Sequence, residues 1–289
     1  MPLPLCYLNG EYLPLAEARV SPLDRAFLFA DAVYEVIPVY GGRPFRLREH
    51  LDRLARSLAA IRMAPPLSHA AWAEVCGELV ARNGGGDQYV YLQVTRGAEY
   101  GRNHAWPDGL KPTLFAYTNA LEPLPASSLE QGVAAITAAD TRWARRDIKS
   151  TALLANVLLK RLAVDAGAFE TIMLEDGALT EGSSTTVHVI VDGEIRTPPN
   201  GHHILPGTTR DVVGELAARL ALPARSVRVP ESELRAAHEI WLAFATRGLL
   251  AVTTLDGRPV GDARPGPLFR RMHQAFADYI REIKDTRAL

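Results

Sequence analysis

Along this chain the apolar positions fall into stretches of two-residue and 3.6-residue period, the patterns of strands and amphipathic helices. Residues 33–40 are rich in β-branched and aromatic side chains. Gly41-Gly42 then turns the chain into Pro44-Phe45-Arg46, which predicts a strand closed by a hairpin. Leu51, Leu54, Ala55, Leu58 and Ile61 recur at helical spacing and predict a helix over 49–63. A second helix is expected over 68–83, halted by Gly84-Gly85-Gly86. Residues 89–95 and 113–117 read as buried strands. Between them runs a long loop, 96–111, and loops of that length inside a compact domain are usually functional or disordered.

The stretch 119–131, with Pro123, Pro125 and Ser127-Ser128, is the best linker candidate. It divides the chain into an N-terminal α/β domain over 1–120, a linker over 121–131 and a C-terminal domain over 132–289. In the second region a strand is expected from Gly132, then a helix over 151–166 stopped by Gly167. Strands over 170–174 and 186–191 flank Asp176-Gly177, and Asp192-Gly193 marks another tight turn. A helix over 209–220, a strand over 240–245, a hairpin turn at Asp256-Gly257 and an amphipathic helix over 267–283 complete the pattern. No repeat of 20–50 residues interrupts it. The expected fold class is mixed α/β (or α+β) in two domains.

Composition narrows the function. The 289 residues are 47% hydrophobic and 22% charged, an ordinary globular balance. A formal net charge of -1 argues against nucleic-acid binding, which needs a concentrated basic surface. No apolar run approaches the roughly 20 residues that a spanning helix requires, so no membrane partner is expected. Residues 1–10 lack the basic start and apolar core of a signal peptide. The two cysteines, Cys6 and Cys76, show neither CxxC nor metal-ligand spacing, so a reduced, cytoplasmic setting and no metal are expected. There is no GxGxxG after a strand, no GxxxxGK[ST], no GxSxG and no HExxH. His202-His203 reads as a pair of surface residues, because adjacent histidines on a loop rarely chelate together.

Three segments carry candidate chemistry. Lys149, in Arg145-Arg146-Asp147-Ile148-Lys149-Ser150, is a solvated lysine on the plain reading; the functional one needs a partly desolvated primary amine able to form an imine. Thr180-Glu181-Gly182-Ser183-Ser184 lies between two expected strands. It is either a polar turn or a carboxylate set against a protonated ring nitrogen. Leu205-Pro206-Gly207-Thr208-Thr209-Arg210-Asp211 opens a helix. It is either an N-cap or a phosphate site made of amides, hydroxyls and the positive dipole end.

In this order the three segments resemble the fold-type IV pyridoxal-phosphate enzymes: D-amino-acid aminotransferases, branched-chain aminotransferases and aminodeoxychorismate lyase. The similarity runs from about Tyr7 to the C-terminal helix. It implies a small N-terminal and a larger C-terminal domain with pyridoxal 5′-phosphate in the cleft between them, and a homodimer with loops crossing between subunits. By motif, Lys149 is then the Schiff-base lysine and Glu181 the partner of the pyridine nitrogen. Arg53, in Glu49-His50-Leu51-Asp52-Arg53-Leu54, matches the family's phosphate-binding arginine; without the resemblance it would be an exposed residue on a polar helix face. Thr208 and Thr209 match the phosphate cup.

Within the family the match is closest to D-amino-acid aminotransferases. Tyr34 corresponds to the tyrosine of their substrate pocket, and Arg102-Asn103-His104 to their Arg-x-His signature, which clamps the substrate α-carboxylate. Three places depart from the pattern. The loop after the expected strand 240–245 reads Ala243-Phe244-Ala245-Thr246-Arg247-Gly248, leaving Thr246 as the phosphate hydroxyl and adding Arg247 as a cation near cofactor or substrate. Thr186 stands where asparagine is frequent, and Pro38 where a basic residue is common. The expected reaction is a ping-pong transamination between a D-amino acid and a 2-oxo acid. The alternatives are a branched-chain L-amino-acid or (R)-amine transaminase on the same fold and, further off, aminodeoxychorismate lyase. From another class, a non-catalytic module could hold a phosphorylated ligand at Gly207-Thr208-Thr209.

Overall fold

A computed structural model of the chain describes residues 1–285. Residues 286–289, the end of the expected C-terminal domain, lie outside the described residues. The chain forms two compact units. The first comprises Met1–Leu121, Ile148–Ala152 and the described residues from Ile283; the second comprises Glu122–Asp147 and Leu153–Glu282.

In the first unit the elements are β1 (Pro2–Leu8), β2 (Glu11–Pro14), α1 (Arg25–Phe29), β3 (Ala32–Tyr40), β4 (Arg43–Pro44), α2 (Leu47–Ala60), α3 (His69–Arg82), β5 (Gln88–Thr95) and β6 (Thr113–Ala120). Its strands make one antiparallel sheet in the order β2-β1-β6-β5-β3-β4. Alternation along β3 and β5 turns Val33, Ile37, Val39, Val90, Leu92 and Val94 to one face. There they share a core with Leu51, Leu54 and Leu58 of α2 and Trp72, Cys76 and Leu79 of α3. Helix α2 stops at Ala60 rather than Met63. Arg62 adopts a left-handed φ of 57°, its amide bonds to Ala59 O, and the Met63 amide bonds to Leu58 O. Ser68 caps α3 by accepting the Ala71 amide at 3.1 Å.

Ile148–Ala152 lies along the edge of β3. Tyr34 N donates to Lys149 O at 3.0 Å, Thr151 N donates to Ala32 O at 3.1 Å, and Val33 bridges to Ser150. This corrects the expected helix start at Thr151. The Thr151 amide and hydroxyl are both committed to this pairing, the hydroxyl to Ala30 O at 3.2 Å, so the helix begins only at Leu154.

The second unit contains α4 (Ala126–Gln131), which lies in the segment expected as linker, then β7 (Val133–Ala139), α5 (Leu154–Asp165), β8 (Glu170–Glu175), β9 (Ala178–Gly182), β10 (Thr186–Val191) and β11 (Glu194–Thr197). There follow α6 (Thr208–Arg219), β12 (Ala224–Ser226), α7 (Glu231–Arg235), β13 (Glu239–Phe244), β14 (Gly248–Leu255), β15 (Arg258–Pro259) and α8 (Pro267–Asp285). The strands form a mixed sheet in the order β12-β11-β10-β13-β14-β7-β8-β9, with β15 on β14. Pairs β11·β12, β14·β7 and β7·β8 are parallel. Val187 and Val189 of β10, Ile240 and Leu242 of β13, and Leu250 and Val252 of β14 share one core. Asp176-Gly177, Asp192-Gly193 and Asp256-Gly257 all have positive φ at both residues, the condition of a two-residue hairpin turn matched to strand twist. Thr180-Glu181-Gly182 is therefore strand, not turn. The Asp176-Gly177 hairpin returns the chain as β9, paired antiparallel with β8. Among the described residues no helix is long and apolar enough to cross a membrane.

Candidate active site

The backbone of Lys149 is pinned from two sides. Its amide donates to Ser57 Oγ at 3.2 Å and its carbonyl accepts the Tyr34 amide. Its flanking residues Ile148 and Ser150 are buried, while the lysine itself is half-buried, with Nζ 4.3 Å from the centroid of the Tyr34 ring. Strand alternation gives Tyr34 the face of the sheet opposite Glu35. There it stacks on Tyr91 at 5.6 Å, and Tyr91 meets Tyr117 at 5.2 Å. Burial pushes the Tyr91 phenol up, so it stays protonated and donates to Gln93 Oε1 at 2.7 Å. A primary amine thus stands over an aromatic wall.

Glu35 occupies a core-facing position of β3 and is fully buried. It accepts from Arg53 Nε and Nη2, each at 2.7 Å, and contacts His50 Nδ1 at 2.7 Å. Arg53 is therefore buried rather than exposed, correcting the reading made from helix periodicity alone. Burial would raise the Glu35 carboxyl, but the Arg53 guanidinium and then His50 reverse this and hold it well below the usual carboxylate range. Ser57, which holds the Lys149 amide, lies one turn on from Arg53 on the same stripe of α2.

Arg102 and His104 are exposed on the loop between β5 and β6. Both pack on Phe29, the guanidinium carbon of Arg102 at 5.0 Å and the His104 ring at 5.3 Å from the ring centroid. Among the described residues no hydrogen bond, ion pair or ring contact joins either of them to Tyr34 or Lys149.

In the second unit Glu181 is buried on β9. It accepts from Arg142 Nη1 and, at 3.2 and 3.3 Å, from the Leu205 amide. Burial raises its carboxyl, and this outweighs the opposing pull of Arg142 and Leu205. A further cation facing it would be electrostatically welcome. Just beyond, the buried Glu170 gathers the hydroxyls of Ser183, Ser184 and Thr185 and the Thr171 amide, fixing the loop that follows Glu181.

Leu205 leads into Gly207, the N-cap of α6, whose first residues Thr208 and Thr209 are both buried. Gly207 makes no side-chain cap, and a Cβ there would lie 2.7 Å from Thr186 Oγ1. Thr186 pairs with Ala243, so the turn carrying Thr246 and Arg247 leaves the sheet at the end where Thr186 meets Gly207. Arg247 is exposed and forms no ion pair among the described residues. His202 and His203 are exposed and reach Asp147 at 3.1 Å and Glu175 at 2.9 Å.

The structure thus brings Tyr34 to Lys149, and Glu181 to the Leu205–Thr209 segment. Sequence reasoning passed over Arg142, Glu35 and Glu170. For Glu35 there was a signal, a carboxylate at an inward position of an otherwise apolar alternation; Arg142 and Glu170 gave none.

A profile of the Amino-transferase class IV family matches residues 32–255. The chain belongs to the class IV aminotransferases. It is 38% identical over 275 residues to a D-alanine aminotransferase of Staphylococcus aureus (strain MSSA476), covering 95% of this chain and 97% of that protein. Among solved structures it resembles the branched-chain amino acid aminotransferase of Escherichia coli, with a TM-score of 0.90, 27% identity and coverage of 96% and 95%. It also resembles a branched-chain amino acid aminotransferase from T.th., complexed with N-(5′-phosphopyridoxyl)-L-glutamate, with a TM-score of 0.88, 26% identity and coverage of 98% and 96%.

The chain is a transaminase, and its cofactor is pyridoxal 5′-phosphate. The residues present fit that group. The first unit offers a half-buried primary amine at Lys149; the second offers a buried carboxyl pushed up by desolvation at Glu181 and a helix start at Gly207, closely approached by Thr186, beside two buried hydroxyls.

Proposed function

We propose that this class IV aminotransferase moves an amino group from a D-amino acid to a 2-oxo acid, one substrate leaving before the next binds. The observation that carries the reading is the near-full-length likeness to a D-alanine aminotransferase, with Arg102 and His104 held side by side on one ring. Lys149 would carry the cofactor, Glu181 would face its ring nitrogen, and Arg53, Thr208, Thr209 and Thr246 would hold its phosphate. Tyr34, Arg102, His104 and Arg247 would meet the substrate. When bound, the cofactor supplies an electron sink for the substrate Cα.

The chain's own residues do the rest. Lys149 Nζ takes the proton from the substrate Cα and returns it on the other side of the reaction; a backbone pinned by Ser57 and Tyr34 aims that amine. Glu181, kept in place by Arg142 and the Leu205 amide, keeps a proton on the ring nitrogen. Arg102 binds the α-carboxylate through its planar fork, with His104 beside it.

The branched-chain reading keeps one specific support, the TM-score of 0.90 to the Escherichia coli branched-chain enzyme, and Arg247 is the cation that would serve it. A homodimer is part of the proposal. Leu154, Val157, Leu158 and Leu162 of α5 stand exposed along one helix stripe, an apolar face suited to a second copy. A cytoplasmic setting is supported by two free, buried thiols.

The site is tested by borohydride reduction of the holoenzyme followed by peptide mapping. The account expects the cofactor on Lys149, and its loss together with turnover in Lys149→Ala. Cofactor trapped on Lys111, Lys160 or Lys284 would end the assignment.

A further inference from the structure

We propose that Arg25, seated against Phe29, is the positioning residue of the carboxylate-binding loop, a role that rests on Arg102 being the carboxylate clamp. Arg102 and His104 are both exposed, and among the described residues their side chains rest on the Phe29 ring. A guanidinium binds a carboxylate with useful orientation only if the backbone beneath it is fixed. The loop that carries them is long, and its base is closed far from its tip. At the base the Arg25 amide bonds to Gly97 O at 2.9 Å, and Asp24 accepts the hydroxyls of Thr95 at 2.8 Å and Thr113 at 2.6 Å.

The tip is held by the Arg25 side chain. Its Nη1 donates to Asn103 O at 2.7 Å and its Nη2 to His104 O at 3.1 Å, so two consecutive carbonyls of the Arg-x-His segment end on one guanidinium. The same group is anchored from behind by Asp31 at 2.9 Å and by Glu99. Asp31 also takes Arg96 Nε at 2.7 Å, and Arg96 lies 3.9 Å over the Trp106 ring farther along the loop. Two arginines and two carboxylates balance, and Arg25 is 2% exposed. Phe29 completes the arrangement, with Arg25 at 4.6 Å and Arg102 at 5.0 Å from its centroid and the His104 ring at 5.3 Å. Only a planar fork with five donors can serve two carboxylates and two carbonyls at once. An ammonium with three donors keeps the charge but must release part of the set.

The test compares wild type, Arg102→Leu, Arg25→Lys and the double variant. Steady-state kinetics with D-alanine and with a primary amine lacking a carboxylate would be read beside hydrogen exchange of residues 98–108. Arg25→Lys is expected to raise KM for D-alanine about tenfold, the loss of one charge-assisted hydrogen bond, with kcat within about twofold. The amine should be unaffected, loop exchange should quicken, and the double variant should be no worse than Arg102→Leu. Phe29→Leu, which leaves the buried charges intact, should shift KM the same way by less, and it carries the test if Arg25→Lys does not fold. If Arg102→Leu leaves KM unchanged, the clamp reading fails and the proposal with it. If Arg102→Leu raises KM while Arg25→Lys and Phe29→Leu match wild type in KM and exchange, the clamp stands and the proposal is overturned. A fall in kcat alone, equal for both donors, would mark a merely structural residue and also overturn it.

Discussion

Arg142 and Glu181 form a buried ion pair in which the guanidinium is held from its other side by Asp140, through Nη2 at 2.7 Å and Nε at 3.0 Å. Burial pushes the carboxyl toward the neutral form and prevails, while the Arg142 cation and the Leu205 amide oppose it. Glu181→Gln, which cannot keep a proton on the ring nitrogen, is expected to slow removal of the Cα proton by about 1000-fold while cofactor still binds. Arg142→Met leaves only the Leu205 amide against burial and should cost about 100-fold in the same step. Stopped-flow absorbance of the first half-reaction measures both; a near-normal rate in Glu181→Gln would contradict the role.

Glu35 and Arg53 give a pH-dependent prediction. The folded-state carboxyl of Glu35 lies below its unfolded value, so its stabilisation is fully present above the unfolded value of about 4.3 and drains as pH falls toward the depressed one. Glu35→Gln leaves a buried guanidinium half-paired and is expected to lose about 3 kcal/mol at neutral pH. Denaturant unfolding should show the gap to wild type narrowing between about pH 5 and pH 3. A gap constant across that range would show that the carboxylate charge is not its source.

Gly207 gives a steric one. Its φ of -77° suits any residue, so the barrier to alanine is the Thr186 hydroxyl in the path of the new Cβ. Gly207→Ala should weaken cofactor binding about tenfold, and adding Thr186→Ala should recover most of that. Equilibrium titration with pyridoxal 5′-phosphate decides it; equal weakening in single and double variants would count against the steric account.

Much of the architecture is legible in local patterns. The three Asp-Gly hairpins, the Ser68 cap and the helical stripe of Leu51, Leu54 and Leu58 each declare themselves within a few residues. What was not legible depends on distant partners. Thr151 belongs to a strand pairing with Ala32 that no helix periodicity can reveal, and β9 shows only once the Asp176-Gly177 turn brings it onto β8. The site divides in the same way. Tyr34 with Lys149, and Glu181 with the Gly207–Thr209 helix start, come from contiguous motifs. The charges that steady them, Glu35, Arg142 and Glu170, are each set by a partner elsewhere in the chain. Arg25 likewise acts on carbonyls far from it in sequence.

The central claim is handedness, and the most direct measurement is kcat/KM for paired enantiomers of alanine, glutamate and leucine with 2-oxoglutarate or pyruvate as acceptor. If Arg102 holds the α-carboxylate, as proposed, the Cα hydrogen of a D-amino acid would face the Lys149 amine, while an L-amino acid would have to present its side chain there or give up the clamp. The account predicts turnover of D-alanine and D-glutamate and little of L-leucine. It also predicts that Arg102→Leu lowers kcat/KM for D-alanine by about 1.5–3 kcal/mol, the range for a hydrogen bond to a charged group. Efficient turnover of L-leucine with D-alanine inert would contradict it.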